Sequence, residues 1–383
     1  MYFNDEHQEL RAMIRKFVDN EINPHVDEWE EARIFPAHEL FGKMGKLGLL
    51  GLMYEEEFGG GGMDYWYEAV LLEEIGRINC GGVPMAIAVQ NDMATPALAE
   101  HGTPEQKEKF LKPAIKGDAV FSIAVSEPDA GSDVAGISTH AITDGDDWVI
   151  NGSKMWITNG TQADYLTLLA RTDGRDRGYR GMSLIIVPTT VEGFSVSKKL
   201  EKMGQHSSDT AILSFDDVRV PKANTIGPEG MGFMLQMQQF QVERLAASLM
   251  SLPGMEKMID LTVEYCKQRH TFKRPLMDNQ WIQFKLCELK TEIEALRHLN
   301  YYCVRKKIAG QDMTREASMA KLKMGRLSRE VADICMQFHG GIGYTEEYPV
   351  ARYYRDSRLG SIGGGADEIM LGIIAKMDGL MDN

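Results

Sequence analysis

One segment of the sequence carries groups that could hold a charged or polar ligand. It spans residues 124–133, reads AVSEPDAGSD and follows a short apolar run. A Gly/Ser loop after a strand presents N–H groups and hydroxyls that can bind an anion or the polar edge of a ring. The same composition also makes a capped turn, and the residues alone leave both possibilities open. It lacks Gly-x-Ser-x-Gly, so it does not indicate a hydrolase nucleophile.

Two other patterns with possible ligand chemistry lack their essential partners. The glycine run Gly59–Gly62 is not followed by Gly-Lys-Ser/Thr, so it does not indicate a phosphate loop. The five cysteines form no Cys-x-x-Cys pair and are odd in number. We therefore expect reduced buried thiols in a cytoplasmic protein, with no metal site and no disulfide framework.

The bulk composition argues against two classes of partner. The chain has 383 residues, a formal net charge of −14 and no apolar stretch long enough to span a bilayer. An acidic surface repels nucleic-acid phosphates and anionic lipid. We expect a soluble protein that binds neither nucleic acid nor a membrane.

Hydrophobic periodicity divides the chain into three parts, for which we predict the α+β class. Residues 1–117 read as an N-terminal helical domain that includes an amphipathic helix over 65–78. Residues 118–222 read as a middle antiparallel β-barrel or sandwich domain, with Asn151-Gly152 predicted as a hairpin turn. Residues 223–383 contain three long helices and a short last one, which predicts a four-helix bundle.

With five further blocks, the 124–133 segment resembles the acyl-CoA dehydrogenase family. The blocks match the family in order and spacing over nearly the whole chain. The family architecture of helices, β domain and helices agrees with the elements predicted above. The further blocks are MWITNG at 155–160, KMG with SDT at 202–210, VRVP at 218–221, RHTF at 269–272 with Gln280, and QFHGGIGY at 337–344.

The resemblance implies that the chain binds FAD, partly through a neighbouring subunit. An arginine at 269 suits a pyrophosphate because its fork makes paired, charge-assisted hydrogen bonds. Taken by itself, Arg269 would be an ordinary solvated charge at a helix end. The implied cofactor-binding residues are Ile123, Ala124, Val125, Ser126, Gly131, Ser132, Trp156, Ile157, Thr158, Arg269, Phe272, Gln280, Gln337, Gly340, Gly341, Ala366 and Glu368.

The resemblance also implies where the catalytic base lies. Many family members carry a glutamate at the position of Gly364, where this chain has no side chain. A minority, including isovaleryl- and long-chain-type enzymes, carry it on the long helix in a Glu-Arg pair, here Glu243-Arg244. The loss and the gain occur together, so we expect Glu243 to be the base. The alternative is an exposed helix glutamate paired with a neighbour.

In the family reaction, a proton leaves the α carbon of an acyl-CoA thioester while hydride passes from the β carbon to flavin N5. A bare carboxylate is too weak a base for this step unless hydrogen bonds stabilise the enolate-like oxygen. The implied donor from the chain is the backbone N–H of Gly364. The implied substrate-binding residues are Ser132, Arg244, Gly363 and Gly364.

The resemblance is less informative about the substrate. The run GGGADEIM at 363–370 most resembles long-chain and terpenoid (citronellyl-type) members, so we expect a medium- or long-chain or branched acyl-CoA. Many family members have a threonine at the position of Ala366, and its hydroxyl helps bind FAD. This chain lacks that hydroxyl.

Expected partners are an electron-transferring flavoprotein and further copies of the chain in a homotetramer, a dimer of dimers. Three alternatives remain: an acyl-CoA oxidase, a dehydrogenase of carrier-protein thioesters, and a flavin-containing binding or regulatory protein.

Overall fold

The computed structural model describes residues 2–172 and 178–381. Its N-terminal part is helical, as predicted, and includes π-helical turns at Val18–Ile22, Val89–Ala94 and Lys107–Leu111. The helices are α1 Asp5–Phe17, α2 Val26–Ala32, α3 Ala37–Lys46, α4 Tyr65–Ile75, α5 Gly82–Ala88, α6 Pro96–His101, α7 Pro104–Gln106 and α8 Lys112–Lys116.

Helix α4 is the central helix of this part, and its predicted amphipathic character is wrong. Nine of its eleven residues are buried, including the carboxylates of Glu68, Glu73 and Glu74. It packs against α1 on one side and against a long C-terminal helix on the other. A helix that is buried on nearly all sides has no solvent-facing side, so it lacks the polar face that makes a surface helix amphipathic.

The middle of the chain forms one eight-stranded sheet. Its spatial order is β6-β7-β3-β2-β4-β5-β8, with β1 added beside β4. All pairings are antiparallel except β1 with β4 and β2 with β4, which are parallel. The strands are β1 Phe121–Ala124, β2 His140–Asp144, β3 Asp147–Thr158, β4 Tyr165–Arg171, β5 Met182–Pro188, β6 Phe194–Lys199, β7 Thr210–Pro221 and β8 Thr225–Ile226.

The predicted hairpin turn at Asn151-Gly152 is wrong. Strand β3 runs straight through both residues, and its register against β7 shifts between Ile150 and Gly152. The Asn151 amide exchanges two hydrogen bonds with Asp217 of β7, each 2.9 Å. The pair therefore forms a β-bulge, and the hairpin turn lies earlier, at Gly145 between β2 and β3.

The C-terminal part is helical again. Its elements are α9 Gly232–Gln268, β9 His270–Thr271, β10 Arg274–Pro275, α10 Gln280–Ile308, α11 Thr314–His339, α12 Pro349–Ser357 and α13 Asp367–Met377. Helices α9, α10 and α11 pack against one another, and α12 and α13 pack on α11. Helix α9 also packs on α4 and on the Val89–Ala94 turn, so it joins both helical parts. Within the described ranges, no helix has the length and apolarity that crossing a bilayer requires.

Candidate active site

The loop after β1, residues 125–139, is held by one buried ion pair. Glu127 is 4% exposed and Lys154 of β3 is 0% exposed, and Lys154 Nζ lies 2.9 Å from Glu127 Oε1. The same ammonium donates to the carbonyl oxygen of Val125 at 2.8 Å. Glu127 Oε2 accepts from the N–H and hydroxyl of Ser138, at 2.7 and 2.8 Å. Both ends of the loop are therefore tied to one buried ion pair.

The environment of Glu127 keeps this pair ionised. Burial would raise the pKa of Glu127, but the charge of Lys154 and the hydrogen bonds outweigh it and lower the pKa from 4.5 to about 2. A lowered carboxylate pKa adds stability that is complete above pH 4.5 and lost as the pH falls toward 2. Burial lowers the pKa of Lys154 to about 8, so both groups are mostly ionised at neutral pH and the lysine loses its charge as the pH rises above 8.

This anchor brings the first group of predicted cofactor residues together. Residues 123–126 lie at the end of β1, whereas Gly131 and Ser132 are exposed farther along the loop. The Ser126 carbonyl accepts from the N–H of Met155 at 2.9 Å, which joins the loop to β3. The loop therefore lies beside the strand that carries the second predicted group, residues 156–158.

Trp156 stands out of strand β3. Its φ is +68°, a left-handed conformation that is a rare outlier for a bulky side chain. The register against β7 shifts between Lys154 and Ile157, so Trp156 falls within a bulge. Its side chain is 59% exposed, whereas Ile157 is 2% exposed. An exposed aromatic held in a strained conformation often marks a functional surface.

Glu243 is buried in the middle of α9 and is not an exposed helix carboxylate. It is 7% exposed, and its Oε1 accepts from the amides of Gln239 at 3.0 Å and Gln236 at 3.3 Å. Burial raises the pKa of Glu243 from 4.5 to about 7, against the opposing effects of the Gln239 amide and the Arg244 charge. Such a carboxyl group exchanges its proton near neutral pH.

The glycine loop before α13 lies against the same part of α9. A Cβ built on Gly365 would lie 4.0 Å from the Nε of Arg244 and only 2.5 Å from the Met370 side chain. Gly364 has φ +61° and open space around its Cβ position, and Gly363 lies against Leu359. The structure therefore brings Gly365 close to the side chain of Arg244, the residue after Glu243.

A buried lysine that the sequence analysis did not single out supports this loop. Lys321 of α11 is 1% exposed, and its Nζ donates to the carbonyl oxygen of Gly365. Burial lowers the pKa of Lys321 to about 8, although the nearby Asp367 carboxylate raises it. Lys321 lies on the apolar face of α11 with Ala317, Ala320 and Met324. An ionisable residue on the apolar face of a helix is a sequence signal from which Lys321 could have been predicted.

The residues predicted to reach a neighbouring subunit lie on the surface. Phe272 and Lys273 have φ values of +49° and +69° and form the tip of the β9–β10 hairpin. The Phe272 side chain is 99% exposed, and Arg269 and Gln280 flank the hairpin at the ends of α9 and α10. Across the described residues, no hydrogen bond or ion pair connects this hairpin to the loop 125–139. One chain alone does not bring these groups together.

The remaining predicted residues lie near the ends of the last helices. Gln337 is in the last turn of α11, and Gly340 and Gly341 begin the 3₁₀-helix Gly340–Tyr344. All three are exposed. Ala366 is the N-cap of α13 and makes no side-chain hydrogen bond there, and Glu368 is exposed in the first turn.

Comparison with known proteins covers the chain almost from end to end. Residues 4–118, 122–218 and 230–377 match the N-terminal, middle and C-terminal domains of acyl-CoA dehydrogenase. The mitochondrial long-chain specific acyl-CoA dehydrogenase of Mus musculus is 40% identical over 98% of this chain and 86% of its own length.

Solved structures agree with the sequence matches. An acyl-CoA dehydrogenase from Geobacillus kaustophilus superposes with a TM-score of 0.95 at 40% identity, over 98% of each chain. A glutaryl-CoA dehydrogenase from Mycobacterium smegmatis in complex with FADH2 superposes with a TM-score of 0.92 at 29% identity, over 100% of this chain and 96% of that one. The chain belongs to the acyl-CoA dehydrogenase family of FAD-dependent oxidoreductases.

Proposed function

We propose that this chain removes the α proton of an acyl-CoA thioester through Glu243 and forms the 2,3-enoyl-CoA. The observation that carries the proposal is the burial of Glu243, with a pKa raised to about 7, next to Arg244, whose side chain lies close to the glycine loop. A base is most effective when its pKa lies near the working pH, because it is then both ionised and strongly basic. A surface glutamate in an ion pair would be ionised at neutral pH but only weakly basic.

The surface formed by the loop 125–139 and Trp156 fits a bound flavin. Gly131 leaves open space around its Cβ position, and the exposed Trp156 ring offers an apolar face beside the loop. In our proposal, residues 123–126 with Gly131, Ser132 and residues 156–158 hold the flavin ring. When bound, FAD supplies the two-electron acceptor of the reaction.

The glycine loop is proposed to bind the thioester end of the substrate. The Gly363 N–H donates to the Leu359 carbonyl oxygen at 2.9 Å, whereas the Gly364 N–H has no partner among the described residues. That N–H is our proposed donor to the thioester oxygen, where it stabilises negative charge as the α proton leaves. Ser132, Arg244 and Gly363 complete the proposed substrate-binding set.

The proposed acyl group is medium to long, or branched near the carbonyl. Gly364 has no atom within 4 Å of its Cβ position, so the wall at the thioester end is open. The name of the mouse relative, long-chain specific acyl-CoA dehydrogenase, supports a chain of this kind.

A panel of acyl-CoA thioesters tests the proposal directly. Mixed without oxygen, the preferred thioester should bleach the flavin within seconds, and bleaching should be slow to reverse in air. Fast reoxidation in air would identify an oxidase instead. Bleaching by a carrier-protein thioester and by none of the CoA esters would identify the carrier-protein alternative. No bleaching by any thioester would contradict dehydrogenation and leave a binding or regulatory protein.

The pH dependence of flavin reduction should follow the ionisation of Glu243. The base works only when deprotonated, so kcat/KM should rise about tenfold per pH unit below the Glu243 pKa and level off above it. The midpoint should lie near the pKa of about 7. Stopped-flow reduction at low acyl-CoA concentration, between about pH 5.5 and pH 9, measures this profile. A flat profile, or a rate that falls as the pH rises, would exclude a base with this pKa.

We also propose that the working unit is a homotetramer, a dimer of dimers, that passes its electrons to an electron-transferring flavoprotein in the cytoplasm. An aromatic ring that is 99% exposed on a strained hairpin, as Phe272 is, favours burial against another copy. In that assembly Arg269, Phe272 and Gln280, with Gln337, Gly340 and Gly341, would reach the cofactor of the neighbour. Sedimentation of the flavin-loaded chain tests this, and a species of monomer mass would contradict it.

A further inference from the structure

Helix α4 carries three buried carboxylates, and two of them have clear structural partners. Glu73 lies 2.8 Å from an Arg11 nitrogen, and Glu74 lies 2.9 Å from nitrogens of Arg11 and Arg15. Glu68 is 2% exposed and its Oε1 has no hydrogen-bond partner among the described residues. Glu73 and Glu74 are therefore paired with arginines, whereas one oxygen of Glu68 has no partner.

A second unpaired carboxyl group lies close to Glu68. Asp92, in the Val89–Ala94 turn, is 1% exposed, and neither of its oxygens has a hydrogen-bond partner in the described structure. The Tyr65 hydroxyl, one turn before Glu68 on α4, is also buried and unpartnered. Desolvation, together with the charges of Glu68 and Glu243, raises the pKa of Asp92.

Hydrogen bonds connect the turn that carries Asp92 to the proposed base. The Gln239 amide nitrogen donates to Glu243 Oε1 at 3.0 Å and also to the carbonyl oxygen of Met93, the residue after Asp92. The amide oxygen of Gln239 accepts from the Ala97 N–H at 3.1 Å. The turn that carries Asp92 is thus tied to the α9 turn that carries Glu243. Asp92 is therefore one residue from a carbonyl group that shares its amide donor with Glu243.

We propose that Glu68 and Asp92 bind a primary ammonium group at the end of the acyl chain remote from the thioester. The substrate class is then an ω-aminoacyl-CoA, which rests on the proposed function and narrows its medium or long chain to one with a cationic end. Burial raises the pKa of both carboxyl groups, that of Glu68 to about 8, so both favour the protonated form while the site is empty. A bound ammonium group would favour the ionised forms, whose three unpartnered oxygens, the two of Asp92 and Glu68 Oε1, match its three N–H donors. An alkyl end would leave these buried acceptors without partners.

Matched substrates test the proposal in the wild-type enzyme. Heptanoyl-CoA carries a methyl group where 6-aminohexanoyl-CoA carries the ammonium, and nonanoyl-CoA and 8-aminooctanoyl-CoA form the same pair at greater length. We expect the better amino substrate to exceed its isostere in kcat/KM by about 10²-fold, because a site built for hydrogen bonds rejects an analogue that lacks them. A preference for the alkyl isostere at both lengths would overturn the proposal. A preference for a guanidino analogue would also overturn the proposal, because a guanidinium group has more N–H donors than the three acceptors of the site.

Variants identify the residues responsible. Asp92→Asn keeps the shape of the side chain but cannot ionise, and we expect it to lower the amino-to-alkyl ratio by at least about tenfold. Glu68→Gln should lower the same ratio and serves as the second variant if Asp92→Asn fails to fold. Glu73→Gln is the matched control, because Glu73 is a buried α4 carboxylate paired with arginine, and its ratio should equal that of the wild type. An unchanged ratio in both acid variants would show that the pair has only a structural role.

A binding measurement separates this proposal from the proposed function. In the Glu243→Gln variant, calorimetry should show tighter binding of 6-aminohexanoyl-CoA than of heptanoyl-CoA, and Asp92→Asn in that background should remove the difference. If the wild type bleaches with heptanoyl-CoA while binding and turnover show no preference for the amine, only the ammonium site is wrong. If no thioester bleaches the flavin but the amine still binds better, the dehydrogenation is wrong and the ammonium site stands.

Discussion

Replacing Glu243 with glutamine should abolish flavin reduction by acyl-CoA while the protein stays folded and yellow. Glutamine has the same shape and can still accept from the Gln239 and Gln236 amides, so the helix should be undisturbed. It cannot take up a proton, and loss of a positioned general base costs about 10²–10⁴-fold in rate. Anaerobic stopped-flow reduction measures the rate, and the visible spectrum of the purified variant measures bound FAD.

A glutamate on the surface of the same helix provides the control. Glu264 of α9 is exposed and pairs with Lys267 at 2.7 Å, so Glu264→Gln should reduce its flavin at the wild-type rate. Adding Gly364→Glu to the Glu243→Gln variant should restore part of the activity. The Cβ position of Gly364 is open, but its φ of +61° makes any side chain strained, by about 1–2 kcal/mol. A Glu243→Gln variant that reduces normally would place the base elsewhere.

Local sequence signals alone would not have identified Glu243. A Glu-Arg pair on a helix is usually a solvated pair, and the prediction depended on the missing side chain at Gly364 and on the family pattern. The structure adds that Glu243 is buried and hydrogen-bonded to Gln239 and Gln236, one and two helical turns earlier. Those glutamines were predictable in principle, because residues four and seven positions apart share one face of a helix.

The order of elements was predictable because hydrophobic periodicity reports burial directly. The helices near both ends and the strands from Tyr165 to Val187 follow this pattern closely. The Asn151-Gly152 signal failed because the same dipeptide also suits a bulge, and the Asp217 contact that selects the bulge comes from a distant strand. Burial of α4 on nearly all sides was unpredictable for a related reason, since the arginines that pair with Glu73 and Glu74 lie elsewhere in the chain.

The buried anchor of the loop 125–139 was also missed, although β3 contains a signal for it. Trp148, Ile150 and Lys154 occupy even positions of β3 and are all 0% exposed. A lysine at an inward-facing position of a strand requires a buried partner. Which carboxylate supplies that partner depends on the path of the loop, which only the folded structure shows.

Replacing Lys154 with methionine should strongly destabilise the protein and weaken FAD binding. Methionine fills similar volume, but Glu127 would remain buried without its counter-ion, and removing one partner of a buried pair costs about 3–5 kcal/mol. The carbonyl oxygen of Val125 would also lose its donor. Because residues 125–139 are anchored through this pair, their order should fall with it. Urea unfolding measures the free energy of unfolding, and reconstitution of the apoprotein with FAD measures the dissociation constant.

The size of this effect depends on the charge left behind, and a double variant separates that charge from the lost contact. Lys154→Met with Glu127→Gln removes both charges, so stability should recover by about 1–3 kcal/mol relative to Lys154→Met alone. FAD affinity should recover less, because the Val125 carbonyl oxygen still lacks its donor. The glutamine that replaces Glu127 would also accept weaker hydrogen bonds from Ser138, since it carries no charge. Lys198→Met, at an exposed position of β6, should change stability by less than about 0.5 kcal/mol. If Lys154→Met is as stable as Lys198→Met, the loop is held by its backbone contacts, such as that between Ser126 and Met155, and the ion pair is dispensable.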